Sequence, residues 1–166
     1  MKSPSRRHES LIPLSRQHQH ALLLCLRIHR GLIEHSADSN WLQLKADHSI
    51  RFYEGDLVTH FQAEEEFLFP AMLEIPAATE IVDELRAEHS QMRRLVDQLR
   101  QIDIGSIAAT LKEFADTLEA HIRKEERKLF PIYEQQASPE TIARVERAIV
   151  SLIGSGFAPN DMELLS

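Results

Sequence analysis

The chain has 166 residues, enough for one well-cored domain and too few for two comfortable ones. With 43% hydrophobic residues, 27% charged residues and only 5 glycines it has a globular composition, which excludes the fibrous and disordered classes. A formal net charge of −7 argues against nucleic acid or an anionic membrane as the main partner, because both reward a basic surface.

Helical periodicity runs through almost the whole chain. Pro13 sits where a helix can begin, and apolar residues recur at helical spacing from Leu14 to about Glu34, with Gly31 a mild interruption. The longest apolar run, Ala21 to Leu26, falls here and is far short of the roughly 20 residues that cross a bilayer. It contains the single cysteine, Cys25, so no intramolecular disulfide can form. The basic N-terminal residues have no apolar stretch directly behind them, so no signal peptide is expected and the expected location is cytoplasmic.

The polar stretch His35 to Asn40 reads as a loop. A second helix emerges between Trp41 and Asp47 and continues to about Ile75, where Pro76 stops it. Thr79 is placed to cap a third helix, with Ile81, Leu85, Met92, Val96 and Leu99 along one stripe. Asp103-Ile104-Gly105-Ser106 forms the next turn, and a fourth helix turns Ile107, Leu111, Phe114, Leu118, Ile122 and Leu129 inward. Pro70 and Pro131 are expected to kink helices two and four. Ser138-Pro139-Glu140 starts a short fifth helix closed by Gly154, and residues 155–166 carry no clear pattern. No segment alternates as a half-buried strand does. The expected architecture is all-α: an antiparallel up-down four-helix bundle over about residues 11–136, with a short C-terminal fifth helix over about 138–153, in one domain.

Two stretches repeat. His60 to Pro70 aligns without gaps to His121 to Pro131, and His, Glu, Glu, Leu, Phe and Pro coincide at six of eleven positions. A lone His-x-x-x-Glu arises readily by chance in a chain with nine histidines and many glutamates, so the weight lies on the longer match. Residues at i and i+4 share a helix face, so His60 projects with Glu64 and His121 with Glu125, each beside core apolars. An ionised carboxylate there is costly without a compensating cation, and two facing each other repel. A dinuclear metal site resolves both costs, because each carboxylate can bridge two cations.

The other two helices should supply further ligands. His18 and His89 each lie on the helix before a His/Glu pair, in similar contexts: Leu14-Ser15-Arg16-Gln17-His18 and Leu85-Arg86-Ala87-Glu88-His89. His20 competes with His18 for that role. Two residues apart means roughly 200° of rotation, so only one of them faces the core, and the match to His89 favours His18. His29 is expected at the pocket edge or in the core, and Cys25 as a small buried apolar residue. His8, His35 and His48 are expected in solvated loops or ends. Glu65, Glu66 and Glu126 rotate off the ligand face, to form either a solvated flank or a supporting layer behind the ligands.

The pattern His18, His60-x-x-x-Glu64, His89, His121-x-x-x-Glu125, with Leu-Phe-Pro after each pair, resembles the hemerythrin-like cation-binding (HHE) domain family over roughly Leu11 to Tyr133. The resemblance implies two iron ions (Fe2+/Fe3+) bridged by Glu64, Glu125 and an oxo or hydroxo group. It puts His18 and His60 on one iron, His89 and His121 on the other. It implies a protein that binds or reacts with dioxygen, nitric oxide or peroxide, in sensing, scavenging or iron handling, more a binding protein than a dedicated enzyme. A separate redox or signalling protein and a second copy of the chain are the macromolecular partners this leaves room for. Mixed imidazole and carboxylate ligands also suit zinc or manganese. Where the family's oxygen carriers have a fifth histidine on the third helix this chain has Arg93, which implies an additional open or water-filled coordination position. Two other readings stand beside this one: a ferritin-like di-iron oxidase, whose Glu-x-x-His order is the reverse of the one here, and a metal-free helical interaction module.

Overall fold

The computed structural model describes residues 6–101 and 103–154. A short 3-10 turn, Glu9–Leu11, leads into α1, Ile12–His35. Helix α2 covers residues 39–72, α3 Thr79–Arg100, α4 residues 104–136, and α5 Pro139–Ile153. The segment 155–166 lies outside the described residues. Among the described residues there is no strand, and no helix is long and apolar enough to cross a membrane.

Most helix ends follow from local capping. The Asp38 carboxylate accepts hydrogen bonds from the backbone N–H groups of Asn40 (3.0 Å) and Trp41 (3.1 Å), so α2 starts at Ser39, ahead of the expected start between Trp41 and Asp47. His48 consequently lies within α2 and is half-buried, not in a loop. Asp103 accepts from the Gly105 N–H at 3.1 Å, which brings Ile104 into α4 and shortens the expected turn. Thr79 is not a cap: it is the first residue of α3, which is entered through the 3-10 turn Pro76–Ala78. Ser138 caps α5 through Thr141 N–H, Pro139 fills its first turn, and Gly154 ends it at φ +86°, a conformation that favours glycine. Gly31 has a packing reason, since a Cβ there would lie 1.9 Å from the Trp41 ring.

Helices α2 and α4 are continuous but not uniform. Residues Tyr53–Leu57, Glu64–Leu68 and Glu125–Leu129 form wide π turns. In the last two, Phe69 N–H donates to Glu64 C=O and Phe130 N–H to Glu125 C=O, five residues back. Pro70 and Pro131 follow immediately. Each lacks an N–H and cannot close an ordinary turn, so the expected kink is taken up as a π turn starting at the repeated glutamate. The wider turn puts consecutive residues inside: Leu68 and Phe69 are fully buried, as are Leu129 and Phe130.

Short connections at 36–38, 73–78 and 101–103 force α1 to α4 into antiparallel neighbours. Their apolar stripes form two clusters. One gathers Leu24, Ile28, Met92, Leu99, Leu111 and Phe114; the other gathers Leu14, Leu68, Met72, Leu85, Phe130 and Tyr133. Helix α5 closes the second with Val145 and Ile149. A polar layer lies between the clusters, and each long helix carries a histidine at or next to the change from one cluster to the other.

Candidate metal centre

His18, His60, Glu64, His89, His121 and Glu125 occupy that layer, each 2% exposed or less. One histidine comes from each long helix, and α2 and α4 each add a glutamate one turn on. The Nε2 atoms of His18 and His60 lie 3.1 Å apart, and those of His89 and His121 3.2 Å. Both glutamates reach both pairs. Glu64 Oε1 is 2.8 Å from His60 Nε2 while its Oε2 is 3.1 Å from His89 Nε2. Glu125 Oε2 is 3.1 Å from His18 Nε2 while its Oε1 is 3.5 Å from His121 Nε2. Two sets result: His18, His60, Glu64 and Glu125, and Glu64, His89, His121 and Glu125, each with ligand atoms within 4.8 Å of one another.

Why each ring points inward is visible behind it. His18 Nδ1 is 2.7 Å from Glu126 Oε1, His60 Nδ1 2.7 Å from Gln17 Oε1, His89 Nδ1 2.7 Å from Glu65 Oε1, and His121 Nδ1 2.9 Å from Glu88 Oε2. Every acceptor sits on a neighbouring helix, so the four contacts form a closed ring, α1 to α4 to α3 to α2 and back to α1. With Nδ1–H donated outward, each imidazole in its neutral form presents an Nε2 lone pair to the centre. Three outer carboxylates have cations behind them: Arg7 with Glu126, Arg93 with Glu65, and Lys124 with Glu88. Ser15 Oγ also donates to Glu126, at 2.6 Å.

The electrostatics follow from this arrangement. Burial alone would raise Glu64, but the imidazoles of His60 and His89 hold its carboxyl well below the usual carboxylate range. Burial likewise favours neutral His18 and His89, yet Glu125 with Glu126, and Glu64 with Glu65, push both imidazoles up to about 9. Glu126 is held down at about 2, its burial outweighed by His18 and Ser15. Glu65 is lowered by His89 and Arg93, and Glu88, against its burial, by His121 and Lys124. Without metal, the two buried carboxylates are thus balanced by protons on His18 and His89, the charge that bound cations would replace.

The residues fit a pair of cations. With every imidazole neutral and its Nδ1–H turned outward, none of the four buried carboxylate oxygens of Glu64 and Glu125 receives a hydrogen bond; such anions are costly unless a cation, a metal ion or an added proton on Nε2, compensates them. The separations near 3.1 Å match adjacent positions around an ion whose bonds are about 2.0–2.2 Å long.

The other expectations fall into place around this centre. His20 is half-buried and belongs to neither set, so His18 is the α1 residue at the site. His29 is 2.8 Å from Asp116 at the surface of α4, outside the centre. Cys25 is buried, and burial pushes its thiol up to about 12. His8 and His35 lie at element ends, as expected. Of the flanking glutamates only Glu66 is exposed; Glu65 and Glu126 form the supporting layer. Arg93 does not reach the centre: it bonds Glu65 at 2.7 Å, its guanidinium carbon 5.9 Å from the Phe61 ring centre. Sequence reasoning gave Gln17 and Glu88 no role. Their signal was present, since each directly precedes a histidine of the centre in the aligned contexts.

A cavity with about 10 Å³ of room for the centre of a water-sized molecule touches His18, His60 and His121. Its other walls are chiefly Ala21, Leu57, Phe61, Leu118 and Ile122, and half-buried Gln17, Phe52 and Asp56 lie toward the surface.

A four-helix bundle with two His/Glu sets sharing both carboxylates defines a cation-binding helical domain. The chain belongs to the hemerythrin family: the model described as "Hemerythrin HHE cation binding domain" matches residues 13–133. Comparison with curated proteins and with solved structures found no match.

Proposed function

We propose that the chain holds two iron ions, with His18 and His60 on one, His89 and His121 on the other, and Glu64 and Glu125 spanning both. A small ligand of the dioxygen, nitric oxide or peroxide class reaches the centre through the cavity beside His18 and His60. The observation that carries this reading is the sharing of both buried carboxylates between two histidine pairs. Bound iron supplies redox chemistry and open coordination positions. The chain's own residues do the rest. The outer acceptors fix each imidazole with Nε2 inward. The apolar cavity walls admit a small neutral molecule and leave no room for a larger one. Phe61 and Phe69 cover the His89 ring, so the accessible side is that of His18, His60 and His121. Such a centre serves sensing, scavenging or iron handling.

The test is to reconstitute the protein anaerobically with ferrous iron, oxidise it, and add azide or, before oxidation, nitric oxide. The visible spectrum should change on ligand addition. Ala21→Leu narrows the cavity and should weaken or slow that change while iron content stays the same. An unaltered response in this variant would show that ligands do not use this cavity.

A further inference from the structure

The two halves of the centre are related by the internal repeat: His18 corresponds to His89, His60 to His121, Glu64 to Glu125, and Glu65 to Glu126. The outer ring obeys the same relation at every position but one. Glu88 accepts from His121 Nδ1–H, and its counterpart Gln17 accepts from His60 Nδ1–H at a similar distance, 2.9 Å against 2.7 Å. The first acceptor is a carboxylate and the second a neutral amide.

That single difference divides the halves chemically. His89 and His121 both donate to carboxylates, Glu65 and Glu88, whereas His18 donates to a carboxylate and His60 to an amide. A hydrogen bond to an ionised acceptor is roughly twice as strong as one to a neutral acceptor. It also makes the imidazole a better donor to a cation through Nε2. Each of these carboxylates also carries a cation, so the contrast rests on the acceptor atom that each imidazole meets. Lys124 and Arg7 bond the oxygen of Glu88 and of Glu126 that does not face the histidine, and Arg93, 40% exposed, shares Glu65 Oε1 with His89.

We infer that the two metal positions are unequal by construction: the His89/His121 position fills first and more tightly, and Gln17 is the positioning residue that keeps the His18/His60 position weaker. This rests on the dinuclear reading above and adds an order of loading to it. Both histidines of the weaker position, His18 and His60, line the cavity, against His121 alone from the other, so incoming ligands meet chiefly the more weakly held ion. Outer-layer changes of this kind alter metal affinity by about 10- to 100-fold.

The experiment is a cobalt(II) titration of the metal-free full chain, followed by visible absorption and calorimetry, on four proteins: wild type, Gln17→Glu, Glu88→Gln, and the double variant. Repulsion between two bound ions separates the steps somewhat in all four, so the readout is the change in separation. Gln17→Glu should tighten the second step by about 10-fold or more and bring the steps together. Glu88→Gln should bring them together by weakening the first step. The double variant exchanges the two halves and should restore the wild-type separation, a pattern that general loss of packing does not produce. Gln17 is half-buried at the edge of the centre, and circular dichroism melting checks that each variant folds. If one single variant does not fold, the other carries the same comparison with wild type. Two ions bound with the same separation in wild type and in a folded single variant would overturn the inference and leave the dinuclear reading standing. One ion or none in wild type would overturn both.

Discussion

The ring of Phe61 lies against that of His89, centroids 3.8 Å apart and planes 18° from parallel. Phe61 is also edge-on to His121 and to His60, so one side chain braces three of the four histidine rings of the centre. Its ring centre also lies 5.9 Å from the guanidinium carbon of Arg93, the residue that stands where the family's oxygen carriers have a fifth histidine. Histidine rings held by packing and by outer hydrogen bonds stay aligned before any metal arrives.

Phe61→Ala should therefore damage stability and metal affinity together. Removing a fully buried phenylalanine costs about 3–5 kcal/mol. Phe61→Leu, closer in volume, should cost much less in urea denaturation of the metal-free protein. Metal affinity should still fall in the leucine variant, because a branched aliphatic side chain does not stack on His89. Equal affinity in wild type and Phe61→Leu would show that the stacking does not orient the ligand.

The shared carboxylates make a sharper contrast. Glu64→Ala and Glu125→Ala should each abolish most of the gain in melting temperature that metal gives, because stabilisation by a bound ion follows its affinity. Glu66→Ala, on the exposed flank of the same turn, should leave that gain intact. Comparing melting temperatures with and without ferrous iron checks this. Similar losses at 64 and 66 would mean that the face of the π turn is wrongly assigned.

These assignments show which parts of the fold were legible in the sequence. His60 with Glu64 and His121 with Glu125 could be read directly, because a four-residue spacing fixes a shared helix face. The α2 start was missed because Ser39 and Asn40 look like loop, while Asp38 satisfies the helix terminus from one residue earlier. The π turns were not legible either: Pro70 and Pro131 announce a disturbed turn, but whether a helix kinks or widens depends on what packs against it. The roles of Gln17 and Glu88 depend on which helix lies next to which, and one-dimensional spacing does not carry that information. The repeat did place the two residues at matching positions.

Removing the metal should expose a pH dependence with a definite sign. The imidazoles of His18 and His89 sit at about 9 in the folded protein, raised from an ordinary 6.5. Their protonation therefore stabilises the metal-free fold fully below the unfolded value and is lost as pH rises through about 9. The melting temperature of chelator-treated protein should fall across that window, while metal-loaded protein, whose imidazoles carry no such proton, should change less. Metal affinity should rise over the same interval as competing protons leave. A metal-free melting temperature that climbs with pH there would contradict the assignment.

The most direct measurement is the metal content of the protein after anaerobic reconstitution with ferrous iron and removal of unbound metal. Two irons per chain in wild type, with a marked loss in Glu64→Ala and in Glu125→Ala, is the predicted result. One iron or none in wild type, or full loading in both alanine variants, would contradict a centre built on two shared carboxylates.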